Sequence, residues 1–182
     1  MCFAHRAIPP RPEGRGFPRN RMKHDENCKC CTDGAEAFWA DLERRIKTYG
    51  VAILGTATET PHGELSLSYT IGLADQGLPE ILVFGLPMQA AHVILNAAAS
   101  RLKEGNLPLE VPVTELANLP TCFRAVAPAA AAPYIIQANN RADRELPALQ
   151  LVWPDTHGRF PWESEAEARF KCVQPELYSK LN

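Results

Sequence analysis

At 182 residues, with 46% apolar and 22% charged side chains, the chain has the composition of a soluble globular domain and the length for one core that buries roughly 70% of the unfolded surface. No apolar run approaches the ~20 residues needed to cross a bilayer, and the net charge of −2 is uneven. Residues 1–23 carry six basic side chains against Glu13 alone, a net +5 that leaves −7 for the remainder, so the body lacks the clustered Lys and Arg that bind phosphate backbones.

The first segment, residues 1–23, has four prolines, two glycines and too few large apolar residues to join a core. It reads as a disordered basic extension, with residues 24–182 forming a single globular domain. A start at Met22 is one explanation of the extension and an arm for anionic surfaces is another. It lacks a secretory apolar stretch, and its prolines spoil a mitochondrial presequence. Six cysteines without such a leader point to a reducing, cytoplasmic location with free or metal-bound thiols.

Asp33 and Glu36 stand at capping-box spacing before Phe38, Leu42, Ile46 and Tyr49, which recur every three or four residues. The spacing predicts an amphipathic helix over 33–49, ended by Gly50. Val51–Gly55 reads as a buried strand, and Thr58–Gly63 as a polar turn. From Leu65 to Gly72 the residues alternate, with Leu65, Leu67, Tyr69 and Ile71 facing a core and Ser66, Ser68 and Thr70 facing away. Residues 80–86 form an apolar strand covered on both faces, antiparallel to its predecessor.

Pro87 then opens a helix that runs to Glu104, with Met88, Ala91, Leu95, Ala98 and Leu102 as its buried stripe. Beyond Gly105 prolines permit only short elements: an extended 109–113, a strand near 121–127 and a short helix within 129–140, interrupted near Pro133. Residues 148–153 read as the last strand, followed by a Pro154-Asp155 turn. The order predicts an α+β domain whose mainly antiparallel sheet curls into a small half-barrel of the split-barrel type, with two flanking amphipathic helices.

Two segments carry the strongest pattern: Tyr69-Thr-Ile-Gly-Leu with Pro79-Glu80 and Phe84-Gly-Leu, and Leu149-Gln-Leu-Val-Trp-Pro-Asp with Gly158-Arg-Phe-Pro-Trp-Glu. At these positions, and at His92 and Leu95-Asn96, the chain resembles an uncharacterised bacterial family, a domain of unknown function. The likeness spans about residues 28–177. Members often have a His before the Pro-Glu pair, where this chain has Leu78, and two cysteines spaced by two residues, where this chain has Cys28, Cys30 and Cys31. The resemblance implies a fold and candidate positions and no mechanism. A looser similarity in strand order to flavin-reductase-like split barrels implies a flavin oxidoreductase, for which Arg101, Arg124 and Arg159 would supply phosphate contacts.

Candidate binding residues follow from these segments. Tyr69, Thr70, Gly72 and Glu80 come from the first, and Gln150, Trp153, Asp155 and Trp162 from the second, where two indoles and a Phe can form a stacking platform. His92 and Asn96, one helical turn apart, share a face between them. If these elements meet, one pocket takes polar groups from the Tyr69 strand and aromatic walls from the Trp153–Trp162 segment, a small-molecule site. The commoner outcome for each alone is structural: a boundary histidine, a solvent-facing strand, indoles closing a core. The rival reading is a non-catalytic accessory protein in which Cys28, Cys30 and Cys31, with Cys172, form a zinc or redox site.

Overall fold

The computed structural model describes residues 34–60 and 63–178. The basic extension, the Asp33 cap and the cluster of Cys28, Cys30 and Cys31 lie outside the described residues. A six-stranded sheet runs in the order β1(52–60), β2(63–71), β3(80–84), β6(148–152), β5(121–126), β4(112–113). All neighbours are antiparallel except β3 and β6 at its centre. The class is therefore α+β with a mainly antiparallel sheet, and the sheet is open, with no closure into a barrel.

Among the described residues five helices accompany it, where two flanking helices and a short one within 129–140 were expected: α1(34–49), α2(88–103), α3(128–131), α4(136–142) and α5(168–173), besides a 3-10 turn at 73–76. They divide between the faces. Trp39, Leu42 and Ile46 of α1, with Ala131, Ile135 and Ala138 around α3 and α4, pack on Leu67, Tyr69, Ile71, Leu82 and Phe84. Ala91, Ile94, Leu95, Ala98 and Ala99 of α2 cover the opposite face, on Ile81, Val83, Phe123, Leu149 and Leu151. The small residues of α2 let its backbone lie close to the sheet, and each large side chain buried there contributes roughly 1.5–3 kcal/mol.

Coverage on both faces explains the central strands. Every residue of β3 and β6 is buried, as a parallel pair beneath helices requires, and their sequences are accordingly almost continuous in apolar residues. The parallel pairing has a long crossover to accommodate it: α2, β4 and β5 all lie between β3 and β6 in sequence.

Several sequence expectations move by a few residues. The hairpin is tighter than the polar turn at Thr58–Gly63 suggests, because β1 extends to Thr60, which pairs with Gly63. Tyr49 is 71% exposed and Met88 58% exposed, although both fit an apolar stripe. Each sits at a helix end, Met88 resting its side chain over Gly55 of β1 while staying open to solvent, and Trp39 takes the core position in α1. The face of Ser66, Ser68 and Thr70 is not solvated: Ser68 and Thr70 are buried on the α2 side. The helix expected near 129–140 is split in two around Pro133, and α5 emerges from a segment without clear periodicity. Among the described residues no helix is long and apolar enough to cross a membrane.

Candidate functional site

The register places four side chains in one row across the sheet. Tyr69 is opposite Leu82, Leu82 is beside Gln150, and Gln150 is opposite Arg124. The row lies on the face covered by α1 and α4, and β3 separates the Tyr69 strand from the strand leading into Trp153. The candidate residues fall into three groups distributed over both faces of the sheet, with Trp162 apart from them, and each has its own hydrogen-bond economy.

The first group fastens the β2–β3 connection. Glu80, 1% exposed, accepts the Thr70 hydroxyl at 2.7 Å on one oxygen and the Gly72 and Ala74 N–H groups at 2.9 and 3.1 Å on the other. Thr70 in turn accepts the Ile81 N–H at 2.8 Å. Burial pushes the Glu80 carboxyl above its ordinary range despite these bonds, since a charged form loses its hydration there. Gly72 has φ +114, and a Cβ on it would come within 3.0 Å of Ile46, so glycine satisfies both the backbone and the helix above it. Beside this clamp the Tyr69 hydroxyl donates to the Gln137 amide oxygen, and burial raises the Tyr69 pKa far above that of a free phenol. Every polar atom named here that these motif residues bring is used within the fold.

The second group lies on the far side of α2. His92 and Asn96 are both exposed, and they pair with each other: the Asn96 amide donates to the His92 carbonyl at 2.9 Å and lies 3.2 Å from the His92 ring. They share a helical face as the spacing requires, and that face looks away from the sheet. Tyr69 and His92 therefore lie on opposite sides of the β-sheet, and the structure does not bring them to one cavity.

The third group is the segment after β6. The Trp153 indole donates to the Phe84 carbonyl at 2.8 Å and meets Phe170 edge to face. Gly85, at φ +74, leaves room for it: a Cβ there would approach the Trp153 ring at 3.0 Å. Gln174 brackets the Trp153 backbone, accepting its N–H at 3.0 Å and donating to its carbonyl at 2.9 Å. Gln150 holds the next stretch through the Pro175 carbonyl and the Leu177 N–H. Asp155 accepts the N–H groups of His157, Arg159 and Glu167. Burial alone would raise its carboxyl, but these donors hold it below its ordinary range. With His157 and Glu167 it forms a trio of metal-ligand type, yet both its oxygens already receive backbone donors, so a cation there would have to displace them.

Trp162 belongs to a different arrangement. One face of its ring stacks on Phe160, at 4.6 Å and within 2° of parallel, and the Arg124 guanidinium lies 4.2 Å from its centroid. Tyr178 stands edge-on to the same indole, with the guanidinium 5.2 Å from its own ring. Arg124 is 6% exposed and forms no ion pair among the described residues. Its Nε and the Tyr178 hydroxyl are both buried without a hydrogen-bond partner among the described residues. Cys122, two residues away on the same face of β5, is fully buried. Burial pushes its thiol up, although the Arg124 guanidinium beside it favours the thiolate.

A buried cation with an unused donor, next to a buried hydroxyl with no partner, is costly unless something completes it. The other two arginines of the expected phosphate cluster are committed elsewhere, Arg101 to Glu115 at 2.7 Å and Arg159 to Glu165 at 3.2 Å. Tyr178 was not anticipated as a site residue, and Arg124 was only one of three dispersed cations. The readable signal was the alternation Cys122, Arg124, Val126 on a strand whose inward face is otherwise apolar.

No curated protein and no solved structure matches the chain. A family model described as a domain of unknown function, DUF4262, matches residues 45–167, and the chain belongs to that family.

Proposed function

We propose that this is a small-molecule-binding domain whose site is the Arg124 pocket wall on the β5–β6 half of the sheet, with Trp162 and Tyr178 as its aromatic sides. The observation that carries this reading is the buried Arg124 guanidinium, unpaired among the described residues, beside a second orphaned polar atom on Tyr178. Structural cations of this depth are normally paired. Trp162 itself is only half-buried, so a ligand can approach the cation along the exposed edge of that ring.

The expected pocket of Tyr69, His92 and Trp153 is narrowed by this reading to the Trp162 end. Trp153 and Tyr69 spend their polar atoms on Phe84 and Gln137, whereas Arg124 retains one. A flavin nucleotide as ligand has less support, because Arg101 and Arg159 are already engaged with carboxylates. The accessory-protein alternative rests on Cys28, Cys30 and Cys31, outside the described residues, and no observation here favours it.

The test is a fragment screen, FMN included, read by NMR on the side-chain N–H signals of Arg124 and Trp162. Binding at the site moves both signals together, leaves the Trp39 indole in place, and is lost in Arg124→Met and weakened in Trp162→Leu. A screen in which no compound moves the Arg124 and Trp162 signals sinks the proposal. Yellow protein after purification would return flavin to the front.

A further inference from the structure

The geometry points to a single carboxylate as the group that Arg124 and Tyr178 receive; this rests on the small-molecule reading above and narrows its ligand to a monoanionic carboxylic acid. Three observations lead there. The site offers one cation, since Arg101 and Arg159 are held by Glu115 and Glu165. Glu110 and Glu176 already act on Cys122 and Tyr178 beside it, so one further negative charge suits the single guanidinium and a phosphate dianion would add repulsion among the aromatic rings. An uncompensated charge in such surroundings is expensive.

The unused polar atoms have the matching polarity. Arg124 Nε–H can only donate, and the Tyr178 hydroxyl can donate while its lone pairs stay free. Both are buried and unpartnered among the described residues, and they flank the same indole. A carboxylate is acceptor-only when ionised, so its oxygens take both donors, and a hydrogen bond between two charged groups is the stronger kind. A neutral amide of the same shape has a single acceptor oxygen and no charge to meet the guanidinium, so it forgoes the charge-assisted bond.

The aromatic faces limit the rest of the ligand. Trp162 already has Phe160 on its ring at 4.6 Å and the guanidinium at 4.2 Å, so the acid's body does not sandwich against that indole. It lies along the ring edges, which suits a small acid.

The deciding experiment titrates the wild-type protein with benzoate, benzamide and phenyl phosphate, following the Arg124 Nε–H signal by NMR. Benzoate is expected to shift that signal and to bind at least tenfold more tightly than benzamide, with phenyl phosphate no tighter than benzoate. Arg124→Lys keeps the charge but loses the Nε–H, and is expected to lose most of the preference for benzoate over benzamide. Equal binding of benzoate and benzamide overturns the carboxylate assignment and leaves the small-molecule reading standing. Tighter binding of phenyl phosphate overturns it in favour of a phosphate ligand. If none of the three compounds moves the Arg124 signal, the assignment is overturned for this site; if the fragment screen is also silent, the small-molecule reading falls with it. The wild-type titrations decide these outcomes even if the lysine variant fails to fold.

Discussion

Gln150 and Arg124 stand opposite each other on β6 and β5, and only one of them is fully used by the fold. Gln150 donates to the Pro175 carbonyl at 2.7 Å and accepts the Leu177 N–H at 3.1 Å, which fixes the stretch that carries Tyr178. Replacing Gln150 by Leu preserves volume but strands both backbone groups. A loss of about 1–3 kcal/mol is expected, with faster amide exchange at Leu177 as the local sign. Unchanged exchange at Leu177 would show that the segment is held by its aromatic contacts instead.

Thr70 is a relay between two strands, accepting from Ile81 and donating to Glu80. Thr70→Val keeps its shape and removes both bonds, leaving a buried N–H and a buried carboxylate oxygen short of partners. The expected cost is about 2–3 kcal/mol, seen as a lower urea midpoint, and Thr70→Ser should recover most of it. A valine variant as stable as wild type would mean that Glu80 finds another donor.

Gly72→Ala tests the backbone at the same corner. Its φ of +114 strains any L side chain, and the added methyl would meet Ile46 at 3.0 Å. About 1–3 kcal/mol of destabilisation is expected from the strained dihedral. Pairing it with Ile46→Val separates the clash from the strain: the valine should recover only the part due to contact.

Two carboxylates give opposite pH dependences. Arg141 binds Asp75 and Glu43 at once, tying the 3-10 turn, α1 and α4 together. The Arg141 hydrogen bond holds the Asp75 carboxyl below its usual 3.8, so its contribution is present above that pH and is lost as pH falls through the folded value. Asp75 is half-exposed, so Asp75→Asn should cost less than about 1 kcal/mol at pH 7, and the gap should close on acidification. Glu80 behaves in reverse. Burial raises it above 4.5, so its contribution is complete below about that pH and is lost as pH rises through the folded value. Melting curves from pH 3 to 8 for wild type, Asp75→Asn and Glu80→Gln check both signs, and parallel curves would refute them.

Local periodicity made much of this fold readable. Alternation along residues 65–71 identified β2 and its apolar face, because a pleated strand turns successive side chains to opposite faces, although burial of Ser68 and Thr70 on the other face was not readable. Tyr49 and Met88 show where it stops: a stripe marks which face of a helix is apolar, while burial at its ends depends on what the rest of the fold lays over them. The pairing of β3 with β6 was invisible for a related reason, since it joins residues 80–83 to 148–151 and no local pattern encodes a partner so distant. The site suffered most. Thr70, Gly72, Glu80, Gln150, Trp153 and Asp155 look functional in sequence because they are polar, small or aromatic at special positions, yet buried structural bonding selects the same residue types. Arg124 and Tyr178 become conspicuous only once burial and missing partners are known.

The parallel seam between β3 and β6 divides the sheet into two antiparallel halves, β1–β2–β3 and β4–β5–β6, each continuous in sequence. Each half pairs strands that follow one another in the sequence, but the seam must wait until a longer stretch of chain has closed, and that closure is the slow, entropically opposed step. The two sequence signatures meet at this seam, one on each side. They act as matching halves of a molecular address, read only when the distant ends of the domain find each other, and a substitution at Leu82 or Leu149 should therefore register in the rate of folding as well as in its final stability.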